Sequence, residues 1–273
     1  MKEKIIIIGR KGLIGSNLNL SLKRKYFVSN LDFEKFIKKK DTFINRFNYI
    51  INCTSNINYI KNKYQKKNDF DLKIANKIKN LDIKMIMLST RKVYDATYNI
   101  KESSSLNPMD SYSKNKVISE KALTKILKKK VLILRISNIV GLNNKKSKKL
   151  HKTFIDVFIK NIQKGLIFDN KNEYKDFISI KKFCEILEKL ILTNAFGIFN
   201  VSVGKKIFLK DIQSWLNFYN KGDLKRLELN KMSKIDSFTL CNKKLMNKIK
   251  VKNSVSDLKI FCIKMSKELF KND

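Results

Sequence analysis

Cysteine, histidine and proline are scarce in this sequence. The chain of 273 residues has one histidine, one proline and four cysteines, and no two cysteines form a Cys-x-x-Cys pair. Zinc and iron sites need several cysteine or histidine ligands, so we expect no metal site. Scattered, unpaired thiols are typical of a reducing compartment, and we therefore expect a cytoplasmic protein with free cysteines.

Long apolar runs are missing as well. No run approaches the roughly 20 apolar residues of a membrane-spanning helix, so we expect no membrane partner. The opening segment "MKEKIIIIG" has four consecutive isoleucines. This is fewer than the about 7–15 apolar residues of a signal-peptide core, and we interpret the segment as a buried first strand.

Acidic residues are few. The chain has 24 aspartates and glutamates and 60 lysines and arginines, which gives a net charge of +36. Such a charge is typical of proteins that bind nucleic acids or anionic membranes. However, only six of the basic residues are arginine, the better residue for bidentate phosphate and base contacts, and the lysines are spread along the whole chain. We attribute the charge to a lysine-rich composition. We expect weak, salt-sensitive polyanion binding but no specific nucleic-acid partner.

Strand-like and helix-like segments alternate in the first half of the chain. Segments rich in isoleucine and valine, typical of buried parallel strands, occur at 4–9, 26–31, 49–54, 84–90 and 131–137. Segments with helical spacing of apolar residues occur at 15–25, 69–81 and 111–129. This alternation predicts an α/β fold with a doubly wound parallel sheet of the Rossmann type.

The second half of the chain is less regular, with helical segments separated by short strands. We predict a Rossmann-type domain over 1–141 and a smaller α/β region over 142–273, from which the chain returns to the first domain in places.

The stretch between Asp32 and Tyr49 is too short for a full helix–strand–helix passage. In the predicted third helix, one apolar stripe consists of Val117, Ile118, Ala122, Leu123, Ile126 and Leu127.

A glycine-rich loop follows the first predicted strand. Three of the eight glycines fall within it, at G-x-x-G-x-x-G spacing, where the first predicted helix begins. Glycines at such a turn let the backbone approach a pyrophosphate, which binds at the helix N-terminus. The spacing differs from the G-x-G-x-x-G of the usual dinucleotide motif. The predicted NAD(P)-binding loop consists of Gly9, Arg10, Lys11, Gly12, Leu13, Ile14 and Gly15.

Two sets of charges near this loop favour different cofactors. Asp32 ends the second predicted strand, where a carboxylate binds the adenosine ribose hydroxyls and repels a 2′-phosphate, which favours NAD. Arg10 and Lys11 lie inside the loop, where a basic side chain could bind the 2′-phosphate of NADP. We therefore predict NAD or NADP and leave the preference open.

A tyrosine, a lysine and a threonine form the candidate catalytic group. Tyr112 and Lys116 are four residues apart at the start of a predicted helix, and therefore lie on one face of it. An ammonium group near a phenol stabilises the phenolate, so the tyrosine can exchange a proton with a sugar or alcohol oxygen. Thr90 ends the fourth predicted strand, at the sheet edge where ligands bind in open α/β proteins.

Several motifs together resemble the extended short-chain dehydrogenases/reductases, which act mostly on nucleotide sugars. They are "GRKGLIG", "INCTS", "LSTRKVY", "ESSSLNPMDSYSKNKVISEK", "LRISNIVG", "YKDFISIKKF" and "GIFNVSVGKKIFLKDI". The resemblance implies that Thr90, Tyr112 and Lys116 are the catalytic triplet, with Lys116 also holding the nicotinamide ribose. It further implies that Cys53 and Thr54 line the cofactor site.

The same resemblance has implications for the substrate and for assembly. Asn138 and Lys175 would contact a nucleotide-sugar substrate, although the family's usual arginine stands where this chain has Lys175. The region from 142 onward would mainly bind that substrate. An acidic residue and a proline precede the family's tyrosine, here Glu102 and Pro108, and the proline keeps the segment a loop until the helix begins. The helices at 69–80 and 111–129 would form a homodimer interface.

Two departures from the family pattern narrow the reaction. Relatives that remove water from the sugar carry an acidic pair directly after the catalytic threonine, and relatives that decarboxylate a sugar acid carry a glutamate nearby. This chain has Arg91 and Lys92 there. Hydride and proton transfer remain, and the overall layout is most similar to the 4-keto-6-deoxysugar reductases of the dTDP-4-dehydrorhamnose reductase kind. A nucleotide-sugar C4 epimerase is the alternative, and a non-catalytic Rossmann-type protein that binds polyanions is a third reading.

Overall fold

A computed structural model of the chain describes residues 3–142, 154–168, 172–222, 225–227 and 236–271. Its strands are β1 (Lys4–Ile8), β2 (Phe27–Leu31), β3 (Tyr49–Asn52), β4 (Lys84–Thr90), β5 (Val131–Ile136), β6 (Asn138–Val140), β7 (Leu166–Phe168), β8 (Tyr174–Lys175), β9 (Phe177–Ser179), β10 (Gly197–Val201), β11 (Ile207–Phe208) and β12 (Lys225–Leu227). Its helices are α1 (Leu13–Leu22), α2 (Phe33–Ile37), α3 (Asp41–Ile44), α4 (Ile57–Lys61), α5 (Phe70–Ile78), α6 (Ser111–Leu127), α7 (Phe154–Gln163), α8 (Ile180–Leu192), α9 (Leu209–Leu216), α10 (Lys243–Ile249) and α11 (Val255–Leu269).

The main sheet has six parallel strands in the order β2-β1-β3-β4-β5-β10. The predicted doubly wound α/β fold is confirmed. Strand β1 explains the two layers, because its four isoleucines are fully buried and alternate between the faces. Ile5 and Ile7 pack in the core beneath α1 and α8, whereas Ile6 and Ile8 pack in the core beneath α5 and α6.

The sheet edge at β2 differs from the prediction of a fully buried strand at 26–31. Phe27 is 58% exposed, and the rest of β2 is only partly buried. The physical reason is the short passage from Asp32 to Tyr49, which holds only the helices α2 and α3. Without a further strand in this passage, β2 pairs with β1 alone and forms the edge of the sheet.

The second half of the chain divides between two layers. Strand β10 completes the main sheet beside β5, and helix α8 packs against α1. The pairs β6–β9, β8–β11 and β7–β12 and the helices α7, α9 and α11 belong to a second cluster. The chain therefore returns to the first layer after residue 179 and contributes both a strand and a covering helix to it.

Helix α6 does not bury its predicted apolar stripe as one unit. Leu123 and Leu127 lie in the core beneath the sheet, and Val117 packs elsewhere in the interior. Ile118 is 41% exposed and lines a surface groove with Leu72 of α5 and with Ala122 and Ile126, which are partly buried. One side of the stripe therefore packs in the core, and the other side lines the apolar surface groove.

Candidate active site

The turn after β1 requires glycine at two positions. Gly9 has φ +91°, and a Cβ placed on it would lie 2.2 Å from Cγ2 of Thr54. A Cβ on Gly15 would lie 2.2 Å from the carbonyl oxygen of Gly9. Because neither position can hold a side chain, the loop closes tightly over the ends of β1 and β3, and Cys53 N donates to Ile8 O at 2.8 Å.

The start of helix α1 has the character of an anion site. Gly12 is its N-cap residue, so no side chain caps the first-turn amides, and no acidic residue lies in the first turn. Arg10 and Lys11 are exposed beside it. Uncapped amides at a helix N-terminus favour a bound phosphate, so the loop fits the pyrophosphate of a dinucleotide. Leu13 and Ile14 begin the helix and are partly buried.

Asp32 lies at the same end of the sheet as the glycine loop. Gly9 N donates to Leu31 O at 3.0 Å, which brings the end of β2 beside the loop. Asp32 follows directly, is exposed, and makes no side-chain cap to helix α2 although it is the N-cap residue. An exposed carboxylate at the end of β2 and two exposed cations in the loop after β1 therefore lie at the carboxyl ends of neighbouring strands.

Tyr112 and Lys116 lie on one face of α6, near the helix start. The Nζ atom of Lys116 is 5.9 Å from the ring centroid of Tyr112, which is partly buried. Asp110 and Ser113 form a capping box, in which Ser113 N donates to Asp110 Oδ1 at 2.7 Å. This cap fixes where the helix begins, and therefore which side Tyr112 occupies.

Lys116 is buried and paired. Its Nζ atom lies 2.8 Å from Oδ2 of Asp71, and both side chains are at most 5% exposed. The other carboxylate oxygen of Asp71 accepts from Asn52 Nδ2 at 2.7 Å. Burial alone lowers the pKa of an ammonium, but the Asp71 carboxylate, together with Tyr59 and Tyr112, raises the pKa of Lys116 above its ordinary value.

Thr90 ends β4 and is tied to helix α6 through its neighbour. The Ser89 hydroxyl donates to the Glu120 carboxylate, which also accepts from Arg135 Nη2 of β5 at 2.6 Å. These three side chains are buried. The hydroxyl oxygen of Thr90 accepts from Lys92 N at 3.2 Å, which leaves its proton available for a ligand.

The two cations after Thr90 are engaged in ion pairs. Arg91 is paired with Asp236, and its guanidinium lies 3.9 Å from the ring centroid of Phe238. Lys92 Nζ lies 2.9 Å from Asp110 Oδ2. Although burial opposes it, the nearby Arg91 and Lys175 lower the pKa of Asp236, which therefore stays ionised at neutral pH.

The two predicted substrate residues lie in the second cluster. The Nζ atom of Lys175 is buried, donates to the backbone oxygen of Asp236 at 2.8 Å, and pairs with Glu173. Asn138 is partly buried, and its side-chain amide donates to Asp176 O at 3.3 Å. In this arrangement the Lys175 ammonium already has two acidic neighbours.

Comparison with known proteins identifies the family. Residues 5–202 match the model of the NAD dependent epimerase/dehydratase family. The chain belongs to this family. No curated protein matches the chain.

Several solved structures share the fold of this family member. The UDP-N-acetylglucosamine 4-epimerase from Methanobrevibacter ruminantium M1, in complex with UDP-N-acetylmuramic acid, is similar with a TM-score of 0.81 and 20% identity over 100% of both chains. The UDP-glucuronic acid 4-epimerase from Bacillus cereus, in complex with NAD, has a TM-score of 0.77 and 18% identity over 99% of this chain and 98% of its own. A dTDP-4-dehydrorhamnose reductase from Clostridium acetobutylicum has a TM-score of 0.75 and 17% identity over 98% and 99%.

Three residues near the candidate catalytic group of this epimerase/dehydratase family member were not predicted from the sequence. Asp110 could have been found as a capping residue, since an aspartate stands three residues before a serine at the helix start. Asp71 lies on the same helix face as the buried Ile74 and Ala75. A carboxylate in an apolar stripe is a readable signal of a buried charge. Asn52, which ends β3, has no comparable signal.

Proposed function

We propose that the chain is an NAD(P)-dependent nucleotide-sugar oxidoreductase that reduces a 4-keto group, most simply in a 4-keto-6-deoxyhexose nucleotide. The geometry that supports this proposal is the placement of Tyr112 and Lys116 on one face of α6, with Thr90 at the end of β4, and of cations at both positions after Thr90. Arg91 and Lys92 supply no carboxyl group at the positions where a dehydration would use one, and both are held in ion pairs, whereas ketone reduction requires no acid there.

Each member of the triplet has a defined part in this reaction. A nicotinamide dinucleotide, when bound, supplies the hydride that goes to the carbonyl carbon. The Tyr112 hydroxyl donates its proton to the carbonyl oxygen and regains one from solvent. The Lys116 ammonium stabilises the phenolate left behind, and the free hydroxyl proton of Thr90 donates to the same carbonyl oxygen.

The cofactor preference follows from the charges at the loop. We propose that NAD is accepted, because the exposed Asp32 carboxylate borders the loop and the family is NAD-dependent. NADP is the alternative, since Arg10 and Lys11 are exposed on the same side. A cytoplasmic location is supported by the four cysteines, which are all free. Among the described helices, none is long and apolar enough to span a membrane.

A C4 epimerase is the second candidate. Two similar structures are named as 4-epimerases, and the same triplet can oxidise a sugar and reduce it on the other face. An epimerase keeps its NAD bound through the cycle and consumes no added reductant. We further propose a homodimer formed by α5 and α6, because Leu72, Ile118 and Ile126 line an apolar groove between these helices.

The decisive experiment follows the near-ultraviolet absorbance of NADH or NADPH with dTDP-4-keto-6-deoxyglucose as substrate. We expect the absorbance to fall with the wild type, and the rate to drop about 100-fold or more in Tyr112→Phe while dinucleotide binding is kept. Tyr98→Phe is the matched control, since Tyr98 is an exposed tyrosine outside helix α6 whose ring lies beside Lys206, and it should retain full turnover.

Other outcomes separate the candidates. Unchanged turnover in Tyr112→Phe contradicts the mechanism. If no absorbance is lost, release of tightly held NAD on denaturation favours the epimerase. Absence of any dinucleotide binding, with nucleic-acid binding that survives moderate salt, favours the non-catalytic polyanion-binding protein.

A further inference from the structure

We propose that Asp71 is a positioning residue, whose buried carboxylate holds the Lys116 ammonium in its charged form and in its place beside Tyr112. The proposal rests on the proposed function for the role of Lys116 in turnover. Among the residues that the structure describes, Asp71 is the only acidic group in an ion pair with Lys116.

The Asp71 carboxylate is also held in place by residues next to the predicted NAD(P)-binding loop. One of its oxygens accepts from Lys116 and the other from Asn52 Nδ2. The Asn52 side-chain oxygen accepts from the Thr54 backbone N at 3.1 Å and from its hydroxyl at 2.7 Å. Gly9 lies so close to the Thr54 side chain that a Cβ on it would clash there. The contacts therefore run from Gly9 through Thr54, Asn52 and Asp71 to Lys116.

An ammonium has three donors, and Asp71 takes one of them. The Lys116 Nζ atom lies 5.6 Å from the ring centroid of Tyr59 and 5.9 Å from that of Tyr112. Among the described residues, the other two donors make no hydrogen bond, so a ribose or a phenolate beside Tyr112 could use them. A lysine without the Asp71 anchor has four rotatable bonds with which to leave this position.

The neighbouring acid cannot replace Asp71. Asp69 caps helix α5 by accepting from Leu72 N at 2.9 Å, and it also accepts from the hydroxyl groups of Ser119 and Tyr64. Burial and the nearby Asp71 raise the pKa of Asp69. A second carboxylate charge beside Asp71 is therefore disfavoured. The groups facing Lys116 are thus Asp71 from α5, Tyr59 from α4 and Tyr112 from α6, while Cys53 and Asp69 face Asp71.

Removal of the carboxylate charge has a definite pH signature. A fully buried ammonium without a counter-charge loses its proton at a lower pH than usual, since burial penalises the charged form. In Asp71→Asn the alkaline side of the turnover profile should therefore move to lower pH by about one unit or more. Weaker anchoring should also weaken NADH binding by about tenfold.

The experiment compares wild type, Asp71→Asn, Asp71→Glu and the control Glu188→Gln. Glu188 is a buried acid paired with Lys25 at 2.6 Å on helix α8, away from Lys116. Turnover is measured against pH, and NADH binding is measured separately by fluorescence titration. Asp71→Glu keeps the charge but displaces the ammonium, so it should weaken NADH binding while the pH profile stays unchanged. Glu188→Gln should change neither.

Asp71→Asn overturns the proposal if it lowers turnover equally at every pH. If that variant does not fold, Asp71→Glu decides, because wild-type NADH affinity in that variant contradicts the positioning role. If the wild type reduces no keto-sugar, the proposed function fails. The NADH titrations across pH then still test Asp71, since a pH-dependent loss of affinity in Asp71→Asn supports it and an unchanged affinity rejects it.

Discussion

The Nζ atom of Lys92 lies 2.9 Å from Oδ2 of Asp110, and this pair joins the residue two places after Thr90 to the residue two places before Tyr112. Thr90 and Tyr112, which we propose contact the substrate carbonyl oxygen, are thereby tied to one local structure. The same Asp110 caps helix α6 through Ser113 N. The separate contributions of the cap and of the ion pair can be measured.

Asp110→Ala should lower the free energy of unfolding by about 1–2 kcal/mol, because it removes the cap of α6. Lys92→Ala should cost less than about 1 kcal/mol, because both side chains of the pair are nearly half exposed. Urea unfolding of the two variants checks this order. Equal losses in the two variants would mean that the ion pair, rather than the cap, holds the helix start.

Gly9→Ala should destabilise the protein and abolish dinucleotide binding. The new Cβ meets Thr54 at 2.2 Å in addition to the cost of a positive φ. Gly197→Ala is the matched control, because Gly197 also has a positive φ but has open space around its Cβ. Thermal unfolding and NADH titration of both variants test the prediction. A loss in Gly197→Ala as large as that in Gly9→Ala would show that backbone strain alone matters.

Ile118→Asp should convert the proposed dimer into monomers, because a charge in the apolar groove between α5 and α6 would be desolvated at the interface. Sedimentation velocity measures the outcome directly. Ile260→Asp on α11 is the control, since Ile260 is also exposed, at 54% against 41% for Ile118, and lies on another helix. A wild type that sediments as a monomer would contradict the homodimer proposal.

Asp176 should make stability fall between about pH 4 and pH 7. Burial raises the pKa of Asp176 to about 7, against the accepted hydrogen bonds from Gly204 N and Leu240 N. A raised carboxyl pKa means that the folded state binds the proton more tightly, so the stabilisation is complete below the unfolded value and is lost as pH rises to about 7.

Asp176→Asn removes this titration. The unfolding free energy of the wild type should therefore fall with rising pH relative to that of Asp176→Asn. The fall should be up to about 1.4 kcal/mol per pH unit in that window. Chemical unfolding at several pH values measures it. A difference that is constant with pH would contradict the raised pKa.

The main sheet and the glycine loop could be predicted from the sequence because their signals are local. Ile5 to Ile8 mark a strand buried on both faces, and Gly9, Gly12 and Gly15 mark the turn after it. The helix that carries Tyr112 and Lys116 was predicted for the same reason. These features depend on residues that are neighbours along the chain.

The partners of the candidate site could not be predicted, because they are distant in sequence. The Asp71–Lys116 contact joins residues 45 positions apart, and the Arg91–Asp236 contact joins residues 145 apart. Each depends on how separate elements pack, and no local pattern encodes that. The exposure of Phe27 is a different case, because it follows from the short passage between Asp32 and Tyr49, which can be read from the sequence.

Strand β10 and helix α8 set an order for folding during synthesis. Strand β5 pairs with β10, and α1 packs against α8, so the sheet that begins at Lys4 is complete only when Val201 has been made. A ribosome-bound chain that ends at residue 141 would leave β5 without its neighbour β10 and the face covered by α8 partly open. The complete sheet should therefore form only after roughly three quarters of the chain has emerged, and until then its open edge and uncovered face are exposed to aggregation.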